Sequence, residues 1–140
     1  MRILSSLMFF ACMTSLTMAE SACYERLYDA AHMQKHKLQE VTKIKLDLIE
    51  DGDAVSGVIK ASFRELQEFL SSDVTCSVKQ KTTSCQVGKN GGSFGFVQTV
   101  NGIKLTNTSG IRFGGEDDGV AIRSEAEHKV FFLFKTSCKN

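Results

Sequence analysis

Phe94-Gly-Phe-Val-Gln-Thr-Val100-Asn101-Gly102-Ile103-Lys-Leu-Thr-Asn107 carries the plainest structural signal in the chain. Asn101-Gly102 stands between two β-like runs, and both residue types tolerate the positive φ of a type I′ turn, so a tight hairpin centred on that pair is expected. Pairing outward sets Val100 beside Ile103, Gln98 beside Leu105 and Phe96 beside Asn107. Because side chains alternate across a strand, Phe94, Phe96, Val100, Ile103 and Leu105 would then share one face, assigned to the core.

Upstream, Thr42, Ile44, Leu46 and Leu48 alternate with Lys43, Lys45 and Asp47, the period of a strand with one wet face. Glu50-Asp51-Gly52-Asp53 is turn chemistry, and alternation resumes through Gly57, Ile59, Ala61 and Phe63, which predicts a second hairpin. Arg64 to Leu70 fits a helical turn and a continuing strand equally. Before these, Asp29-Ala-Ala-His-Met-Gln-Lys-His36 reads as a short N-terminal helical segment, with Asp29 placed to cap its free N–H groups.

Downstream, Ile111-Arg112-Phe113 and Val120-Ala121-Ile122 read as short strands separated by an acidic glycine-rich loop. Val130-Phe131-Phe132-Leu133-Phe134 is a continuous apolar run, the pattern of a strand buried on both faces. Seven or eight such strands joined by turns predict a single, mainly β domain, an antiparallel barrel or sandwich.

Met1-Arg2-Ile3-Leu4 opens a charged n-region and an apolar h-region that ends at Thr17-Met18-Ala19, so residues 1–19 are expected to be a secretory signal peptide cleaved after Ala19. The alternatives are a retained anchor, for which the apolar stretch is short, and lipidation at Cys12, beside which Phe9 and Phe10 fit poorly. No later stretch is long and apolar enough to span a bilayer, so no transmembrane segment is expected in the mature chain, residues 20–140. Without Arg2, the 17 basic residues of the full chain fall level with its 16 acidic ones. A neutral domain lacks the basic excess that phosphate recognition needs, which argues against nucleic acid as a partner.

Export makes disulfides the default, and the mature chain holds Cys23, Cys76, Cys85 and Cys138. Cys76 and Cys85 flank the polar segment Ser77 to Ser84, which can turn back on itself, so they are expected to pair locally. Cys23 and Cys138 would then join the two ends of the domain. A four-thiolate metal site lacks its close Cys pairs here.

His32 and His36 stand four apart and would project from one helical face as a metal pair, with His128 completing the site in space. A transition metal is the cofactor this pattern would take, though histidines at this spacing also pack locally. Glu116, Asp117 and Asp118 offer oxygen ligands but not in EF-hand order. Gly88-Lys-Asn-Gly91-Gly92 lacks the Lys-Ser/Thr ending of a phosphate loop. No Gly-x-Ser-x-Gly elbow is present, and the mature thiols are expected to be oxidised, so an enzyme is not expected and a hydrolase has no nominated nucleophile.

Cys23-Tyr-Glu-Arg26-Leu-Tyr28-Asp29-Ala-Ala-His32, His36 with Gln39 and Val41, Cys85-Gln-Val, Gly91-Gly92-Ser-Phe94 and Glu116-Asp117-Asp118-Gly119 together resemble a family of small exported proteobacterial proteins. The resemblance implies export and assigns no activity. Lys89-Asn90 precede the two glycines where that family would carry an acidic residue, which argues against a metal at this turn. The expectation is therefore a periplasmic or secreted binding module for a protein or cell-envelope component, one specific form of which is a lysozyme-type inhibitor.

Overall fold

The computed structural model describes residues 19–66, 68–114 and 119–138. Residues 1–18, Cys12 among them, and the acidic run Glu116-Asp117-Asp118 lie outside the described residues. The elements are β1 (Glu20–Leu27), α1 (Ala30–Lys35), β2 (Val41–Asp51), β3 (Ala54–Phe63), β4 (Leu70–Lys79), β5 (Thr82–Val87), β6 (Gly92–Gln98), β7 (Gly102–Phe113), β8 (Val120–Ile122), a 3₁₀ turn (Ala126–His128) and β9 (Val130–Thr136). Strands β1 to β7 follow one another as an antiparallel meander, and β9 inserts between β7 and β1 to close the ring. The result is an eight-stranded antiparallel barrel, with β8 added as an extra strand along the end of β7.

Closure explains the alternation. An eight-stranded barrel has an interior just wide enough for its own side chains, so every second residue must be apolar and the rest face out. Ile44, Leu46, Ile59, Phe94, Ile103, Leu105, Phe131 and Leu133 fill that interior, each essentially buried. Burial of such a side chain stabilises by about 1.5–3 kcal/mol. In β2 a register shift between Val41 and Lys43 turns Val41 inward in place of Thr42, which is only half-buried.

The hairpin at Asn101-Gly102 forms in a different register. Gln98 pairs with Ile103, Phe96 with Leu105 and Phe94 with Asn107, and the Thr99 N–H donates to the Gly102 carbonyl at 2.9 Å. The chain therefore reverses through Val100 and Asn101, neither of which has positive φ, so the turn is not type I′. Gly102 is taken by barrel closure instead: a Cβ there would lie 1.9 Å from the Leu133 carbonyl oxygen of β9. Because the shift is two residues, the inward face is preserved for Phe94, Phe96, Ile103 and Leu105. Only Val100 leaves it, at 99% exposure.

Strand β9 is also not buried on both faces. Phe131 and Leu133 point into the barrel, whereas Phe132 and Phe134 are 53% and 48% exposed. A barrel wall has no second layer over its outside, so its apolar run keeps one face in solvent. Strand β1 was not anticipated from the sequence; within Arg64 to Leu70, Leu66 exchanges backbone hydrogen bonds with Phe63, Gln67 lies outside the described residues, and Leu70 opens β4.

Both disulfides are those expected. Cys76 faces Cys85 across β4 and β5, and Cys23 in the middle of β1 bonds Cys138 beyond the end of β9. The barrel is thus asymmetric end to end. One end holds the short reversals at Asp51–Ala54, Lys79–Thr82 and Gln98–Gly102, with both disulfides in that half. The other end carries α1, the Arg64 to Phe69 connection, the β5–β6 turn, β8 and the 3₁₀ turn.

Candidate functional site at the loop end of the barrel

Helix α1 is too short to persist alone and is held at both ends. Asp29 accepts from the His32 backbone N–H at 2.7 Å, as its position anticipates. At the other end Arg64 supplies the cap that the sequence lacks: Nη2 donates to the carbonyls of Met33 and His36 at 2.6 and 2.8 Å, and Nε donates to that of Gln39 at 2.6 Å. One guanidinium thus binds the helix and the loop after it to the end of β3.

The histidines are brought together in part. His32 and His36 stack with ring centroids 4.1 Å apart, and Tyr28 packs on His32 at 4.7 Å. Gln39 is buried and donates through Nε2 to the Val41 carbonyl, so its Oε1 accepts from His32 Nε2 at 2.9 Å. His36 Nδ1 meets Glu127 Oε1 at 3.0 Å. His128 does not join them: its Nε2 accepts from the Glu40 backbone N–H at 3.0 Å. Among the described residues, no group of three or more His, Cys, Asp or Glu side chains is arranged to hold a metal ion.

Two concavities flank the 3₁₀ turn, and its successive residues face opposite ones. Glu127 lines a small pocket of about 240 Å³ with Arg26, Tyr28, His32, His36 and Phe132. There the Arg26 guanidinium lies 5.1 Å from the centroids of both Tyr28 and Phe134, an aromatic clamp on a cation. Burial raises the Tyr28 phenol above its ordinary value, opposed by the Arg26 charge, so it stays a neutral hydrogen-bonding group near neutral pH.

His128 lines the other, an open groove of about 950 Å³ across the barrel mouth. Its walls are Leu38 and Glu40 before β2, Gly91 and Gly92 at the start of β6, Ser109 to Arg112 of β7, Ala121 and Arg123 at β8, and Glu125, Ala126 and His128. Burial lowers the His128 pKa, opposed by the nearby charges of Glu40, Glu127 and Glu125, which keeps the ring neutral and able to accept the Glu40 N–H.

One polar residue organises the groove's far wall. Asn107 is 1% exposed yet fully used: its Nδ2 donates to the carbonyls of Ile122 and His128 at 2.9 and 3.1 Å, and its Oδ1 accepts from the Gly110 N–H at 2.9 Å. Its backbone N–H donates to Lys129 and its carbonyl accepts from the Ser124 hydroxyl. Asn107 thereby ties β7, β8, the 3₁₀ turn and the entry to β9. The sequence placed it on the hairpin without a role, and an asparagine at an inward strand position was the signal available.

Gly92 closes the floor. At φ +86° it lies so near the Gly110 carbonyl that a Cβ would fall 2.0 Å from the oxygen, so only glycine fits where β6 and β7 meet. Among the described residues no helix is long and apolar enough to cross a membrane. Comparison with protein-family models, with curated proteins and with solved structures finds no match to this chain.

Proposed function

We propose that the protein is an exported, non-catalytic binding module that engages a protein or envelope component of the periplasm or medium through the loop end of its barrel. The observation that carries this reading is the filled interior. A barrel whose core is packed with Phe94, Ile103, Leu105, Phe131 and Leu133 encloses no ligand, so recognition falls to the outer surface. The stapled end has a concavity of about 620 Å³ beside the Gln98–Gly102 reversal, whereas the loop end presents a groove of about 950 Å³ on cross-linked walls. Two disulfides support an oxidising compartment.

Affinity capture from whole envelope and culture medium tests it, with the oxidised chain 20–140 as bait. A saturable partner is expected that is lost on reduction and weakened by substituting Arg112 and Arg123, but not by substituting Val100 at the stapled end. Equal capture by all of these would overturn the reading. Its specific form, a lysozyme-type inhibitor, requires that the pure protein slow at least one of a panel of lysozymes and form a complex with it.

A second reading is metal handling, favoured by the stacked His32–His36 pair. Their hydrogen bonds to Gln39 and Glu127 leave Nδ1 of His32 and Nε2 of His36 with lone pairs in the neutral tautomers, and Glu127 Oε2 is buried without a hydrogen-bond partner among the described residues. Calorimetry with zinc, copper and nickel decides it, since binding that survives in the H32A/H36A variant removes the idea.

A further inference from the structure

The charges around the barrel-mouth groove are unusual in their arrangement. Arg112 lies opposite Ala121 in the β7–β8 ribbon, and Arg123 follows Ile122, the last residue of β8, so both arginines border the same groove. Both arginines are exposed and line the groove, and among the described residues neither is ion-paired. Glu40 and Glu125 line the same groove, also exposed and also without an ion-pair partner among the described residues. Two guanidinium and two carboxylate groups thus share one concavity without neutralising each other.

Their backbone supports are tied to one another and to β4. The Arg112 backbone N–H donates to the Gly91 carbonyl at 2.8 Å and its carbonyl accepts from the Ser72 hydroxyl at 3.2 Å. The Glu40 N–H is held by His128, and the Glu125 N–H donates to the Arg123 carbonyl at 2.9 Å. Walls tied in this way present charge in a set pattern before any ligand arrives, which lowers the ordering cost of binding. A purely anionic ligand would meet Glu40 and Glu125, and a purely cationic one would meet the two arginines. A ligand carrying both signs complements all four.

We propose that this groove binds a short peptide bearing a free carboxylate and a free ammonium group, the carboxylate on Arg112 and Arg123 and the ammonium between Glu40 and Glu125. The proposal rests on the loop-end reading above and narrows its envelope component to a charged peptide with free ends. It needs no catalytic step and no cofactor. The aromatic clamp of Arg26 and the histidine pair lie across the 3₁₀ turn and take no part.

Amide chemical shifts of the oxidised chain 20–140 would be followed while adding the tripeptide Ala-Ala-Ala with free ends, its N-acetylated and C-amidated form, or inorganic phosphate. Saturable shifts at Gly91, Gly92, Gly110 and Ala121 are expected with the free peptide, at least about tenfold weaker with the blocked form, and absent with phosphate. R112Q/R123Q and E40Q/E125Q should each weaken the free peptide by about tenfold or more while the remaining spectrum shows an intact fold. Equal binding of free and blocked peptide, equal binding of phosphate, or no saturable shift up to about 10 mM would overturn the proposal. If the peptide fails while affinity capture yields a partner that depends on Arg112 and Arg123, the binding-module reading stands and this one falls.

Discussion

Asn107 and His128 show how much of the loop end depends on single polar side chains. Truncating Asn107 to alanine leaves the Ile122 and His128 carbonyls and the Gly110 N–H short of a partner, in a position that is 1% exposed. A loss of about 3 kcal/mol is expected, read as a lower denaturant midpoint, because each orphaned buried group costs about 1 kcal/mol or more. Asn107→Asp should be no better, since it keeps the acceptor for Gly110 but aims a carboxylate at two carbonyls; a near-neutral result for either variant would remove Asn107 as the tie. His128 sets a pH dependence. Its folded pKa lies below the ordinary 6.5, so between the two values the unfolded chain binds more protons. Its contribution is therefore complete above about pH 6.5 and is lost as pH falls through that value towards the folded one. Protonation also removes the acceptor for the Glu40 N–H. The difference in melting temperature between the parent chain and His128→Gln should shrink from pH 7.5 to pH 5.5, and a constant difference would count against this assignment.

At the scale of elements, the turn between β6 and β7 separates local preference from the demands of the barrel. Asn-Gly favours a type I′ reversal in isolation, yet a Cβ at Gly102 would run into the Leu133 carbonyl of β9, and closure claims this glycine. Gly102→Ala should destabilise by about 3 kcal/mol or more, because its Cβ meets backbone rather than a movable side chain, and backbone clashes belong to the severe mechanisms. Val100→Lys should lie within about 0.5 kcal/mol of the parent, where a core position would cost several. Denaturant unfolding of the pair distinguishes a stapled-end turn at Val100-Asn101 from one at Asn101-Gly102. The alternation in β2, β3, β6 and β7 was legible because one face of each strand is wet, which writes period two into the residues. Strand β1 was not, since Ala22, Tyr24 and the half-buried Arg26, which alternate along it, mix residue types, and Arg26 stacks on Tyr28 and Phe134 instead of filling the core. Nor was the exposure of Phe132 and Phe134, because a continuous apolar run looks the same whether a second layer covers it or not.

For the whole molecule, the two disulfides divide the labour between ends that the sequence could not place relative to each other. The cysteine pairing was legible from spacing, but the loop-end site was not: Glu40 is remote in the chain from Arg112, Arg123 and Glu125, and the four share one groove only because β8 folds along β7 beside the loop before β2. The bridges should behave differently when cut. Cys23–Cys138 spans a separation of 115 residues and Cys76–Cys85 a separation of 9. In the chain-entropy view their removal costs about 5 and about 2.5 kcal/mol respectively. Stability alone does not separate them cleanly, since Cys76 and Cys85 sit in the core and alanine there also leaves a cavity. The denaturant slope does. Opening the long loop lets the unfolded chain expose more surface and should raise the slope in C23A/C138A, whereas opening the short one in C76A/C85A should leave it nearly unchanged. Equal slopes would mean that the terminal bridge does not constrain the unfolded chain, and its stabilisation would then have to arise within the folded barrel, where β1 meets β9.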